Sequence, residues 1–392
     1  MISRLAVVLS VLLAAFAADL VPPARDFTVH EWGTFTSVAG EDGSPVAWAA
    51  LKTPSDLPCF VYRLNAACVK CNATSLVRME TPVLYFYSPH PATVSVHVDL
   101  PSGVITEWYP KATGIPKDVT YGIGGKIDWG PVQLLPGAAP AYPADESPSH
   151  YYAARNTDSA SLRVGDQQEK LLFYRGVADA GVALEAQLLA NRKMELRNKI
   201  PGRIPIPFAV VFENRAGRLG YRVVRNLSTS AGVDLPDPAG DVAELHRELG
   251  DALIAAGLYP KEAAAMIETW RDSWFEEGMR VFYIMPRAMV DSVLPLKVIP
   301  APAATERVFV GRVEVLSEAT GQILRSALAS GDTAALARCG RFLDPFVAQL
   351  MHQSGVTISP AARNFIDTLR EQNAHVRVEP CKEPAPRPTD PQ

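Results

Sequence analysis

Residues 208–224 read FAVVFENRAGRLGYRVV. Two apolar runs, 208–213 and 219–224, are separated by Asn214, Arg215, Ala216 and Gly217, a group rich in turn formers, so the stretch reads as a β-hairpin. The same punctuation recurs on its N-terminal side. Residues 93–100, 104–109, 126–135, 170–177 and 182–189 are rich in β-branched, aromatic or other apolar types and are bounded by Pro, Gly and Asp. Short strands joined by turns, with no helical period between them, predict an antiparallel sandwich or open barrel over residues 27–227 rather than a parallel βαβ sheet.

Past the hairpin the period changes from two to about 3.6. Residues 228–240 contain Ser, Thr, Gly and two prolines and read as a linker. Val242, Leu245, Leu249, Leu253 and Ala256 then recur at helical spacing, with a capping box at Asp241 and Glu244 and a C-cap at Gly257. Pro260 opens a second helix whose stripe of Ala263, Met266, Ile267, Trp270 and Trp274 reads as core packing. Residues 280–285 and 307–316 read as strands that return to a sheet. Helices are expected over 319–329, 333–341, 345–352 and 360–372, with Pro345 breaking the second from the third. The fold class expected is α+β, with an N-terminal antiparallel β-sandwich-like domain at 27–227. A helix-rich, partly mixed region follows at 241–378, and a proline-rich disordered tail at 379–392.

With 392 residues, 48% of them apolar and 20% charged, the chain is globular and long enough for two domains. A net charge of −4 argues against general nucleic-acid binding, which needs a basic field to displace counterions from phosphates. Residues 1–17 have the shape of a secretory signal peptide. Arg4 precedes an apolar run broken only by Ser10, and Ala15, Phe16 and Ala17 form a small-residue cleavage triplet. The run is short for a membrane span, so the expectation is an exported periplasmic or extracellular protein with no stable transmembrane anchor after cleavage. Five cysteines are present. Cys59, Cys68 and Cys71 are placed for a local disulfide in an oxidising compartment, whereas Cys339 and Cys381 are remote. The Cys68 and Cys71 spacing also suits redox or metal chemistry, but no second such pair follows and a structural staple is the preferred reading.

No HExxH, GxSxG, SxxK or GxxxxGK[ST] motif occurs, and Tyr121, Gly122, Ile123, Gly124 and Gly125 fall short of a dinucleotide fingerprint. No cofactor is expected. The seven histidines are scattered, so no metal site is expected either. The most unusual strand is residues 27–36. Alternation puts Glu31 with Phe27, Val29 and Phe35 on an apolar face, and His30 with Thr28, Trp32 and Thr34 on the other. A carboxylate on the apolar face requires a partner, and Arg78 is the first candidate. A catalytic reading makes His30, Glu31 and Glu80 the acid–base group of a hydrolase; a structural reading makes Glu31 half of an ion pair and His30 a surface residue.

Ligand-binding candidates are Trp32 on the same strand and Arg78, which shares a face with Glu80 on a strand that Pro82 marks as an edge or a bulge. Glu107 beside Trp108 and Tyr109 offers the carboxylate-and-ring lining of sugar sites. Arg155 and Asp158 crowd one polar loop, where the Asp also suits shaping the turn. Arg218 and Arg222 belong to a basic window from Arg192 to Arg225 that holds only Glu195 and Glu213 as acids. That window reads either as a face for polyanions or as a docking surface for the acidic helices after Gly240; docking is preferred.

The strings HEWGTFTSVAGEDG (30–43), RMETPVLYFYSP (78–89), TEWYP (106–110) and TWRDSWFEEGMRVFYIMPR (269–287) resemble a family of exported bacterial proteins with no assigned activity. The resemblance runs through both halves of the mature chain and implies an envelope or extracellular setting. It carries no catalytic residues. The function expected is therefore a noncatalytic envelope or extracellular ligand-binding protein for a glycan or polyanion. The alternatives are a secreted hydrolase using a Glu/His pair, or a scaffold for another exported protein as partner.

Overall fold

The computed structural model describes residues 26–50, 56–64, 74–115, 124–146, 149–180, 182–353 and 355–374. The signal segment 1–17, Cys68, Cys71, residues 121–123, Cys381 and the tail 379–392 lie outside the described residues. Cys59 is disulfide-bonded and Cys339 is free.

Strands alternate with turns through the first half: β1 (Thr28–Val38), β2 (Tyr62–Arg63), β3 (Val77–Tyr87), β4 (Ala92–Leu100), β5 (Gly103–Tyr109), β6 (Gly125–Leu135), β7 (Ser161–Val164), β8 (Gln167–Glu169) and β9 (Leu172–Ala178). Next come β10 (Leu184–Leu189), β11 (Lys193–Asn198), β12 (Ile206–Arg215), β13 (Arg218–Leu227) and β14 (Ser230–Asp234). The helical hairpin is α1 (Val242–Ala255) and α2 (Pro260–Trp274). It is followed by β15 (Gly278–Met285), α3 (Arg287–Val293), β16 (Leu296–Ile299) and β17 (Ala304–Val315). The chain then turns helical as α4 (Glu318–Ser330), α5 (Thr333–Ala337), α6 (Leu343–Met351) and α7 (Pro360–Ala374).

The fold is α+β. A nine-stranded sheet in the order β13-β12-β15-β17-β1-β3-β9-β5-β2 forms the middle layer. One face packs against a five-stranded sheet, β16-β4-β6-β7-β8, and a three-stranded sheet, β10-β11-β14, through a core that includes Val29, Phe35, Leu84, Val96, Trp129, Leu196 and Val281. The other face is covered in two places. Trp32, Tyr85, Phe173, Phe212 and Val310 pack under α1 and α2, while Val38 and Val177 pack under α4, α5, α6 and α7.

The hairpin at 208–224 forms as β12 and β13, with Phe212 opposite Tyr221. Its neighbours come from the other half of the chain. The two strands of the C-terminal half lie inside the sheet of the N-terminal half, since β15 pairs with β12, and β17 pairs in parallel with β1. Strands from both halves of the chain thus share one sheet and one sandwich core. The stretch 228–240, expected as a linker, holds β14, which pairs with β11. Pro345 does not break a helix. It stands in the first turn of α6, where its missing N–H has no intrahelical partner to lose, and the break falls earlier, at the 3-10 turn Gly340–Phe342.

Pro82 marks a bulge in a central strand rather than an edge. The β1–β3 register jumps from Trp32↔Val83 to Thr34↔Glu80, leaving Gly33 opposite Thr81 and Pro82. A Cβ on Gly33 would lie 2.7 Å from Phe309 and 3.1 Å from Pro82, so this crossing needs the bare backbone. The inserted residue inverts β3: Arg78 and Glu80 face the helical side before it, whereas Val83 and Tyr85 do so after it.

Candidate functional site

Strands of the central sheet carry charges where an apolar alternation would put hydrophobic side chains. Arg280 on β15, Arg312 and Glu314 on β17, Arg78 and Glu80 on β3, Arg175 on β9 and Glu107 on β5 are all buried on the helical face. Their register makes them one row: Arg280 pairs with Glu314, Thr36 with both Arg312 and Arg78, and Glu107 with Arg175 and Arg63. The row divides the core under α1 and α2 from the core under the C-terminal helices.

Its western end, at β15 and β17, is a clamp. Arg280 donates to Glu314 at 3.0 Å and to the carbonyls of Trp274, Glu276 and Glu277 at 2.8 to 2.9 Å. Arg312 donates to Glu314 and Glu276 and to the Ser273 carbonyl. Carbonyls at the end of α2 that have no intrahelical donor are satisfied this way, and the helix terminus is fixed to the sheet.

The middle of the row is open. A cleft of about 340 Å³ lies between the end of α2 and the Gly340–Phe342 turn, lined on its floor by Arg78, Glu80 and Arg175 and on its walls by Trp270, Ser273 and Arg341. Asp56, His150, Asp272 and Glu276 complete the lining. Arg78 donates to the Ala50 carbonyl at 2.8 Å and lies 3.3 Å from Glu80. Arg341 and Thr36 also reach Glu80, and Arg175 meets Asp56 at 3.1 Å.

Burial would raise the Asp56 and Glu80 carboxyls, but the surrounding arginines outweigh it. Arg175 and Arg78 hold Asp56 at about 2, and Arg341, Arg78 and Arg175 hold Glu80 below its ordinary range. Burial pulls the Arg78 guanidinium down to about 10, with Glu80 offsetting only part of it.

Hydrogen bonding in the cleft is lopsided. The Arg175 Nε, Arg341 Nη2, Trp270 Nε1 and Ser273 Oγ atoms are buried with no partner, while the cleft carboxylates Asp56, Glu80 and Glu276 accept from arginines. Buried donors without acceptors cost about 1–3 kcal/mol each; the four beside this cleft are covered, so an entering oxygen atom meets them only when the neighbouring side chains shift.

Several residues singled out in the sequence fall elsewhere. Glu31 is fully buried on the sandwich face, as its alternation requires, but its partner is Arg307, directly opposite on β17, with the Tyr174 hydroxyl donating to its other oxygen. Arg78 is not that partner because it lies on the opposite face. His30 is buried rather than superficial; its Nδ1 is 2.8 Å from Glu262 of α2, and Tyr259 and Tyr87 pack on its ring. Glu80 shares the helical face with His30, whereas Glu31 lies across the sheet from both.

Trp32 is core beneath α1 and α2. Trp108 points into the sandwich and stacks on Tyr62, away from Glu107. Arg155 forms a double hydrogen bond with Glu169 among the rings of Tyr142, Tyr151 and Tyr152. Asp158 pairs with Lys261. Arg218 is exposed at the start of the edge strand β13, and Arg222 lies 3.4 Å from Asp237. Elsewhere in the basic window Arg197 meets Glu185 and Glu195, and Arg225 reaches Glu248 on α1.

Of the candidates, the cleft gathers Arg78 and Glu80. Sequence reading passed over Arg175, Arg341, Asp56, Ser273 and Glu276 as site residues, although a lone Arg in the apolar run LLFYRGVA was the available signal. Among the described residues no group of three or more His, Cys, Asp or Glu is arranged to hold a metal, and no helix is long and apolar enough to cross a membrane.

No family model matches the chain, and no curated protein does. Two solved structures give distant overlaps. The Fcho1 Mu homology domain of Danio rerio with a bound Eps15 peptide has a TM-score of 0.32 at 8% identity, covering 74% of this chain and 96% of that one. The yeast delta-COP-I mu-homology domain complexed with a Dsl1 WxWxV peptide has a TM-score of 0.28 at 9% identity, covering 75% and 100%.

Proposed function

We propose that this chain is a noncatalytic ligand-binding protein, acting in the periplasm or outside the cell after export, that seats an acidic group of its ligand in the cleft of Arg78, Arg175 and Arg341. The observation that carries the reading is the set of four buried, unpartnered hydrogen-bond donors at that one opening. The cationic floor favours a negatively charged acceptor over a neutral one, because charge-assisted hydrogen bonds are roughly twice as strong. Export rests on the signal-like segment 1–17.

The hydrolase alternative needs His30, Glu31 and Glu80 at one reacting centre, and the sheet stands between Glu31 and the other two. Binding is tested by titrating the purified protein calorimetrically with acidic glycan fragments, alongside Arg341→Gln. Saturable binding that weakens at least about tenfold in the variant supports the reading. Equal affinity in the variant removes the cleft from it.

A further inference from the structure

Apart from the buried Glu80, which is paired with Arg78 and Arg341, charge in the cleft is sorted by depth. The floor and wall cations are covered, with side chains of Arg175 only 4% exposed, Arg78 9% and Arg341 17%. The carboxylates at the mouth are open, with Asp56 at 41%, Glu276 at 42% and Asp272 at 63%. The basic side chains beside the rim, His150 and Arg271, each lie 3.5 Å from Asp272 and so are already faced by an acid. A ligand carrying negative charge along its length would satisfy the floor but press its remaining charges on three exposed carboxylates. Such like-charge juxtaposition selects against a ligand as effectively as a clash.

Building on the binding function proposed above, we propose that the cleft takes a small zwitterion of the short-peptide class. Its carboxylate rests on the free donors of Arg175, Arg341 and Trp270, and its ammonium lies among Asp56, Asp272 and Glu276. The covered guanidiniums, with Glu80 paired among them, lie below and the more exposed carboxylates above, so the site has the polarity of the ligand reversed. Its volume of about 340 Å³ is at the small end of ligand sites, which run from about 300 to 1,000 Å³. Asp56 is ionised throughout the neutral range, being held at about 2, and Arg78 remains cationic there at about 10. The polarity therefore persists at working pH.

The test compares four probes by calorimetry at pH 7: dialanine, N-acetyl-dialanine, dialanine amide and an oligouronate. Dialanine is expected to bind at least about tenfold more tightly than either blocked form, and the oligouronate more weakly than dialanine. Asp272→Asn, an exposed change on α2, should shrink the advantage of dialanine over its N-acetyl form, whereas Arg341→Gln should weaken both. Circular dichroism and an unchanged melting midpoint establish that each variant is folded. If N-acetyl-dialanine or the oligouronate binds as well as dialanine, the zwitterion assignment is overturned while anion binding stands. If no probe binds, both fail.

Discussion

Glu31 and Arg307 stand directly opposite one another on the parallel strands β1 and β17, both buried, and their ion pair joins a strand from near the start of the chain to one from its last quarter. The pair is tied further: Tyr174 on β9 donates to Glu31, and Asp291 on α3 accepts from Arg307 at 2.7 Å. Removing one member leaves the other charged and desolvated. Glu31→Ala is therefore expected to destabilise the fold by about 3–5 kcal/mol, while Glu31→Leu combined with Arg307→Met costs clearly less than Glu31→Ala alone. Urea unfolding of the three proteins measures this; a double variant less stable than the single one would show that the pair is held for a net gain in energy.

Acid should weaken the protein through the charged row. Glu80 and Glu314 titrate below their ordinary value of 4.5, and Asp56 at about 2 against an ordinary 3.8, because burial, which opposes ionisation, is outweighed by neighbouring arginines. These carboxyls are weaker proton binders in the folded chain than in the unfolded one, so falling pH favours unfolding. The stability they contribute is complete above about pH 5 and is lost as pH drops through the folded values towards about 2. The urea midpoint should hold level from pH 7 to 5 and fall steeply below 4.5, with a shallower fall in Glu80→Gln.

Gly33 should tolerate no side chain. Its Cβ would press on the buried Phe309 ring and on the Pro82 backbone at the bulge, so Gly33→Ala is expected to cost about 1–3 kcal/mol. Gly232 on β14 has open space where its Cβ would stand, and Gly232→Ala should stay within about 0.5 kcal/mol of the parent. Matched thermal melts of the two variants separate a packing cost from a general glycine effect.

Local pattern made the hairpin of β12 and β13, the two helices after it and the strand pair β15 and β17 legible, because each rests on near neighbours in sequence. Strand order was not legible. Nothing in residues 304–315 states that they pair with residues 28–38, since that choice is made by the complementary faces of whole strands and by contacts such as Glu31 with Arg307. The alternation rule placed Glu31 and His30 on opposite faces correctly, yet it could not name Arg307 or Glu262, which are 276 and 232 positions away in chain order. The cleft was hidden for a related reason. Arg175, Arg280 and Arg312 each look like an isolated irregularity in an apolar run; only registration across β15, β17, β1, β3 and β9 turns them into a row.

Trp270 offers the sharpest separation of folding from binding. Its ring is packed in the core below α1 and α2 and stacked on Trp274, while its Nε1 is buried at the cleft without an acceptor. Trp270→Phe keeps an aromatic ring and deletes the orphan donor. The apolar area lost is offset by the donor no longer left unpaired, so stability should stay within about 1 kcal/mol of the parent, against about 3–5 kcal/mol lost in Trp270→Ala. Binding should respond the other way. Affinity for whichever of dialanine or oligouronate the parent binds should fall about tenfold in Trp270→Phe, because the ligand oxygen loses a donor that nothing else replaces. A ring held there for packing alone would leave that affinity unchanged, and calorimetry on the folded variant distinguishes the two.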